Sequence, residues 1–342
     1  MEEYRYSSNL AVYMQQFLDE KYARGYESPY LSSELREIDK YLIEHPTGIE
    51  ITENYYQQWF KTLDDGNRTR KTIYKKASSF YQLLRYMRNI GIECHVPRLP
   101  RENDHKFIPY IYSHDEVQRI FAAADSLRIR NNSSRSSLMP FPALMRLLYS
   151  TGMRVGEAVS LRNRDVDLSK HKILLETTKN KHQRICPINP SLNTVLRDYI
   201  EYRNRLPLEG VSDDASPFFV TSRGMAIDRD TVKYWFHNML KKAGIPYRGN
   251  FAGPRIHDLR HTACVHAMIK LANEGLDLYT SLPVLSRFLG HLDPYSTECY
   301  LRMTQELYPD VIHKANLELS DIETVLSNNK KITWYDFMYR SS

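Results

Sequence analysis

The sequence predicts a mainly α protein with a small β-sheet, an α+β fold in two domains. Three observations point there. Apolar residues recur at helical spacing through about the first hundred positions, an aperiodic proline-rich stretch follows, and two short runs of strand-forming residues later flank a polar turn.

In the first domain the segments "LAVYMQQFLDEKYA", "LSSELREIDKYLIEH" and "TENYYQQWFKTL" each carry an apolar stripe, and Pro46, Gly48 and the pair Asp65-Gly66 mark the turns. A fourth helix is expected in "NRTRKTIYKKASSFYQLLRYMRNIGI", where Ile73, Ala77, Phe80, Leu84 and Met87 fall on one face. Most of its basic residues lie off that face. Arg68, Arg70, Lys71, Lys75, Lys76, Arg85 and Arg88 occur with no acid between Asn67 and Ile92. Such a stripe attracts phosphates over a Debye length, and a plain solvated helix face is the alternative.

Between Gly91 and Pro109 the text becomes "GIECHVPRLPRENDHKFIP", with three prolines, mixed charges and no periodicity. This places a helical domain at 1–98, a linker at 99–109, a second domain at 110–318 and a C-terminal tail at 319–342. The second domain opens with the capping-box pattern of Ser113 and Glu116, and "HKILLETT" and "QRICPINP" are expected as strands around "KNKH". The tail has another capping box at Ser320 and Glu323, then an apolar end with Trp334, Phe337 and Met338.

Bulk properties exclude several classes. The chain has 342 residues, formal charge +6 and no apolar run near the ~18 residues needed to cross a bilayer. Its acidic, then amphipathic start gives no signal peptide. Cys94, Cys186, Cys264 and Cys299 form no C-x-x-C pair, which suits free thiols in a reducing cytoplasm and argues against zinc.

Four pieces of the second domain gather groups that bind or protonate a phosphate. In "LLYSTGMRVGEAVSLR" a helix breaks at Thr151-Gly152 and restarts, so Arg154 sits at the junction as a planar fork for two oxygens, or else pairs with Glu157 or Asp165. Lys179 and Lys181 occupy the hairpin tip, where a lysine can serve as a cation or proton donor. In "PRIHDLRHTACVHAM" His257 and Arg260 lie three apart on one face, with His261 and Thr262 on the neighbouring one. Finally, "LGHLDPYSTECY" has Gly290-His291 ending one helix and Asp293-Pro294 starting another. Along that helix Tyr295 and Tyr300 are offset by ~140° and ~7.5 Å. Only one can face the pocket of Arg154, His257, Arg260 and His291.

In this order the pieces resemble the tyrosine recombinase, or phage integrase, family. Its pattern is T-G-x-R-x-x-E, a hairpin lysine, H-x-x-R, then G-H and a tyrosine nine residues after that histidine. Here these are "TGMRVGE", "TKNK", "HDLRHT", "LGH" and Tyr300. The resemblance implies a helical core-binding (SAM-like) domain and a catalytic domain closing as a clamp around DNA, with no counterpart to the arm-binding domain of some phage integrases. The stretch between His261 and His291 is longer than in compact relatives and resembles a transposon-borne subgroup.

By that resemblance Tyr300 attacks the scissile phosphate, giving a 3′-phosphotyrosyl link and a free 5′-hydroxyl. Arg154 and Arg260 hold the non-bridging oxygens, Lys179 protonates the leaving oxygen, His257 manages the tyrosine proton and His291 hydrogen-bonds the phosphate. No metal, ATP or other cofactor is implied. The implied partners are double-stranded DNA with specific recombination sites and a homo-tetramer on paired sites, with room for accessory recombinases or DNA-bending proteins. The tail would dock on a neighbouring protomer, and the location would be the cytoplasm, at the bacterial nucleoid. A type IB topoisomerase-like nicking-closing enzyme and a non-catalytic DNA-binding protein of the same fold are the alternatives.

Overall fold

A computed structural model describes residues 4–26, 29–66, 68–100, 109–127, 138–176, 183–249, 253–290, 297, 300, 301, 303 and 304. Lys179, Lys181, His291, Tyr295, most of the expected linker and the C-terminal tail lie outside these described residues. By its contacts the chain divides into two compact units, 1–107 and 108–342. No described helix is long and apolar enough to cross a membrane.

The first unit is built from α1 (Ala11–Ala23), α2 (Pro29–Glu44), α3 (Glu53–Leu63) and α4 (Arg70–Asn89). Side-chain caps set two of the starts. Thr52 accepts from the Tyr55 N–H at 3.3 Å, and Thr69 accepts from the Thr72 N–H at 3.2 Å. Helix α4 buries Ala77, Phe80, Leu83, Leu84 and Met87 against α1 and α2, while Ile73 is half-buried. Trp59 of α3 meets Phe80 edge-on with ring centroids 4.7 Å apart, an arrangement worth about 0.5–1.5 kcal/mol beyond the area it buries. Asp39, fully buried on α2, accepts from the Ser8 N–H and the Tyr4 hydroxyl, both at 3.0 Å, and so ties down the segment ahead of α1.

The second unit starts with α5 (His114–Asp125), closed by the Ser113–Glu116 capping box, and α6 (Phe141–Thr151), which is buried along most of its length. After the short α7 (Val155–Val159) comes a three-stranded antiparallel sheet of β1 (Val166–Asp167), β2 (Lys172–Leu175) and β3 (Arg184–Pro187). The two expected strands are β2 and β3, paired with Ile173 opposite Cys186. Strand β1 is an addition to that pair. With two residues it has no period of its own, and it exists because Val166 pairs with Ile173.

Among the described residues four further named helices follow: α8 (Pro190–Asn204), α9 (Arg229–Lys242), α10 (Asp258–Asn273) and α11 (Leu278–Leu289). Helix α10 packs on both α6 and α11, and α11 also reaches β3. This brings the ends of four separate elements to one place.

Candidate active site

Two glycines aim the chain at that place. Gly152 ends α6 in the left-handed region at φ 58°, so the backbone turns and restarts at α7 with Arg154 in the N-cap position. Gly290 ends α11 in the same way at φ 69°, directly before His291. A side chain at Gly290 would overlap the Arg184 guanidinium, so position 290 also needs its hydrogen for close packing.

Arg154 does pair with Glu157. Its N–H donates to Glu157 Oε2 at 2.8 Å and its Nη1 to Oε1 at 2.9 Å, with the Arg154 side chain still a quarter exposed. The same carboxylate, 5% exposed, takes a two-pronged contact from Arg184, Nη2 to Oε2 at 2.8 Å and Nη1 to Oε1 at 3.2 Å. One carboxylate against two guanidiniums leaves the cluster net positive. Burial would raise the Glu157 carboxyl, but Arg184, the Arg154 backbone N–H and the Arg154 guanidinium outweigh it and hold the group below the usual carboxylate range.

Arg260, in the first turn of α10, is 3% exposed. Its Nη1 donates to the Gly152 carbonyl at 2.7 Å and its Nη2 to the Leu289 carbonyl at 2.8 Å. Both acceptors are neutral, so they orient the guanidinium without cancelling its charge. Burial first, and then Arg154, push its pKa below the ordinary value. The guanidinium staples the α6–α7 turn to the end of α11, the two points from which Arg154 and His291 follow.

His257 is the N-cap residue of α10, with its outer edge open to solvent. The protein mass behind the ring, then Arg260, shift its pKa downward and favour the neutral imidazole. His261, one turn on, packs edge-to-face against it with centroids 4.9 Å apart. Tyr300, 3% exposed, sits among Cys264, Val265 and Leu289 with its hydroxyl 3.0 Å from His261 Nδ1. Arg260 also acts on Tyr300 electrostatically. Thus Arg154, His257, Arg260 and Tyr300 converge, whereas Lys179 and His291 lie outside the described residues.

Two residues of the cluster go beyond the set that the sequence points to. His261 is expected on the neighbouring face, but four residues after His257 it shares that face, and the helical spacing is the available signal. Arg184 lies two residues before the buried Cys186 on β3, so the two share a face, and that period marks Arg184 as inward-facing. Among the described residues no group of three or more His, Cys, Asp or Glu side chains gathers to hold a metal ion.

A buried guanidinium held by neutral carbonyls, a second arginine at the rim and a phenol among imidazoles form a site for displacement at a phosphate ester. Comparison with known proteins specifies the class. The model described as "Phage integrase family" matches residues 111–306, and the chain belongs to this family. It is a tyrosine-type site-specific DNA recombinase. It is 32% identical to tyrosine recombinase XerC of Chlorobaculum tepidum over 74% of this chain and 75% of that one. A putative integrase/recombinase, y4rB, of Sinorhizobium fredii is 29% identical over 62% of this chain and 67% of its own. Among solved structures, the Tn1549 transposon integrase with a circular intermediate DNA superposes with TM-score 0.62 at 15% identity, over 84% of this chain and 94% of that one. The XerH site-specific recombinase bound to its difH substrate gives 0.61 at 16%, over 82% and 77%.

Proposed function

We propose that the recombinase moves a mobile element by integration, excision or transposition, with Tyr300 as the nucleophile at specific DNA sites. The observation that carries the nucleophile is the buried Tyr300 hydroxyl, 3.0 Å from His261 Nδ1 and in the field of Arg260, whose own surroundings include Arg154. A phenol near pKa 10 is a poor nucleophile at neutral pH, and cations around the phosphate favour its ionised form. Arg154 and Arg260 hold the non-bridging oxygens, Lys179 donates the proton to the 5′-oxygen, and His291 donates to the phosphate. The bond energy is kept in the phosphotyrosyl ester, so the reaction needs neither metal nor ATP. The mobile-element role is supported by the long stretch between His261 and His291, which includes the whole of α11. Exchange takes place in a tetramer that pairs two sites, with tails docked in trans and accessory proteins as further partners.

The test is a suicide DNA substrate nicked beside the cleavage site. Wild type and Tyr295→Phe should form a denaturation-resistant protein–DNA adduct in the presence of EDTA, and Tyr300→Phe should form none. An adduct with Tyr300→Phe, or its loss on chelation, would overturn the reading.

A further inference from the structure

The Tyr300 hydroxyl lies within hydrogen-bond distance of His261, 3.0 Å from Nδ1. Ring geometry extends that contact into a row. His257 and His261 meet edge-to-face at 4.9 Å, and His261 and Tyr300 follow at 5.5 Å with their planes tilted by 45°. The row therefore runs from the exposed N-cap imidazole, through a half-buried one, to the buried phenol. The two imidazoles occupy different places along it, so they can hold different roles.

We propose that His261 is the residue that takes the Tyr300 proton during DNA cleavage, leaving His257 to face the phosphate. This rests on Tyr300 being the nucleophile. His257 and Tyr300 both contact the His261 ring, and Arg260 precedes it on α10. In the tautomer that carries its hydrogen on Nε2, His261 presents a bare Nδ1 as the acceptor for the phenolic O–H. As the Tyr300 Oη–P bond forms, the phenolic proton passes to His261 Nδ1. The P–O5′ bond breaks, and the 5′-oxygen takes its proton from the hairpin lysine. On religation the 5′-hydroxyl returns its proton to that lysine, and His261 returns its own to the departing phenolate. The order of charges fits the site, because an imidazolium at His261 arises only as negative charge builds on the phosphate held by Arg154 and Arg260.

The experiment measures single-turnover cleavage of the suicide substrate against pH for wild type, His261→Ala, His261→Asn and Tyr300→Phe, with DNA binding measured alongside. Wild type should lose rate in acid, where an imidazole that must accept the phenolic proton already carries one. His261→Ala should cleave about 100-fold or more slowly with wild-type DNA affinity, and its acid limb should vanish. His261→Asn keeps an acceptor for the hydroxyl but cannot take the proton, so it should be as slow as His261→Ala. A wild-type rate in His261→Ala, an acid limb retained by it, or restoration of the rate by His261→Asn would each overturn the proposal. Tyr300→Phe separates the two readings. If it forms no adduct while His261→Ala cleaves normally, only the role of His261 fails, and if it still forms the adduct, the nucleophile itself is wrong.

Discussion

On α4 of the N-terminal unit, Lys71, Lys75, Arg85 and Arg88 stand exposed and make no ion pair among the described residues, whereas Arg184 and Arg260 of the catalytic unit are almost wholly buried. The first group hangs on a helix whose opposite face is held by Phe80, Leu84 and Met87. Its charges can move with the partner, so they suit a long-range field over a polyanion. The second group cannot move. Arg260 is fixed by two carbonyls and Arg184 by a carboxylate, and in a site closed to water such fixed charges act far more strongly on a developing anion. The same residue types thus stand at opposite burial in the two units.

The contrast is broken most severely at the carboxylate. Glu157→Gln leaves the buried Arg184 charge uncompensated, which costs about 3–5 kcal/mol, to be read by urea unfolding, whereas Arg184→Ala should cost less because Arg154 still pairs with the carboxylate. Acidity gives an independent check of sign. The folded pKa of Glu157 lies below its unfolded value, so its stabilisation is complete above the ordinary carboxylate value of about 4.3 and fades as pH falls through the folded pKa. Wild type and Glu157→Gln should therefore converge in stability in strong acid and diverge toward neutral pH. A constant difference across that range would mean that the variant acts through packing rather than charge.

Arg260→Lys keeps the charge and removes the fork that spans the Gly152 and Leu289 carbonyls. Single-turnover cleavage should fall about 10²–10³-fold, the usual effect of removing one fixed donor at a developing oxyanion. DNA affinity should change less than tenfold. If affinity falls as far as the rate, Arg260 contributes ground-state binding, and burial divides the two cationic regions less sharply than their exposure suggests.

How much of this is legible in the sequence depends on how local each cause is. Helices α1, α3 and α4 follow from apolar spacing with Thr52 and Thr69 as caps, and the break at Gly152 follows from the need for a left-handed residue. Strand β1 is not legible, since two residues carry no period and only pairing with β2 defines them. Within the site, Arg154 and Arg260 can be read because their motifs are short. The Glu157–Arg184 pair spans 27 positions and the His261–Tyr300 contact 39, and no local rule links residues that far apart. Their positions are legible as inward-facing, but their partners are not.

The smallest effects are expected on α4, where they divide the helix itself. Lys75→Ala, Arg85→Ala and Arg88→Ala should each lower the slope of log K against log salt by about 0.9 for every phosphate that the native side chain neutralises. Their unfolding free energies should stay within about 0.5 kcal/mol of wild type, and cleavage at saturating DNA should not change. Arg68 and Lys76 carry the same formal charge but spend it within the protein. Arg68 reaches Asp65 at 2.9 Å and the Thr62 carbonyl at 3.0 Å, and Lys76 pairs with Glu37 across to α2. Removing either should leave the salt slope nearly intact. If Lys76→Ala flattens the slope as much as Lys75→Ala, the pair with Glu37 opens on DNA, and exposure in the free protein no longer separates the residues that meet phosphate from those that do not.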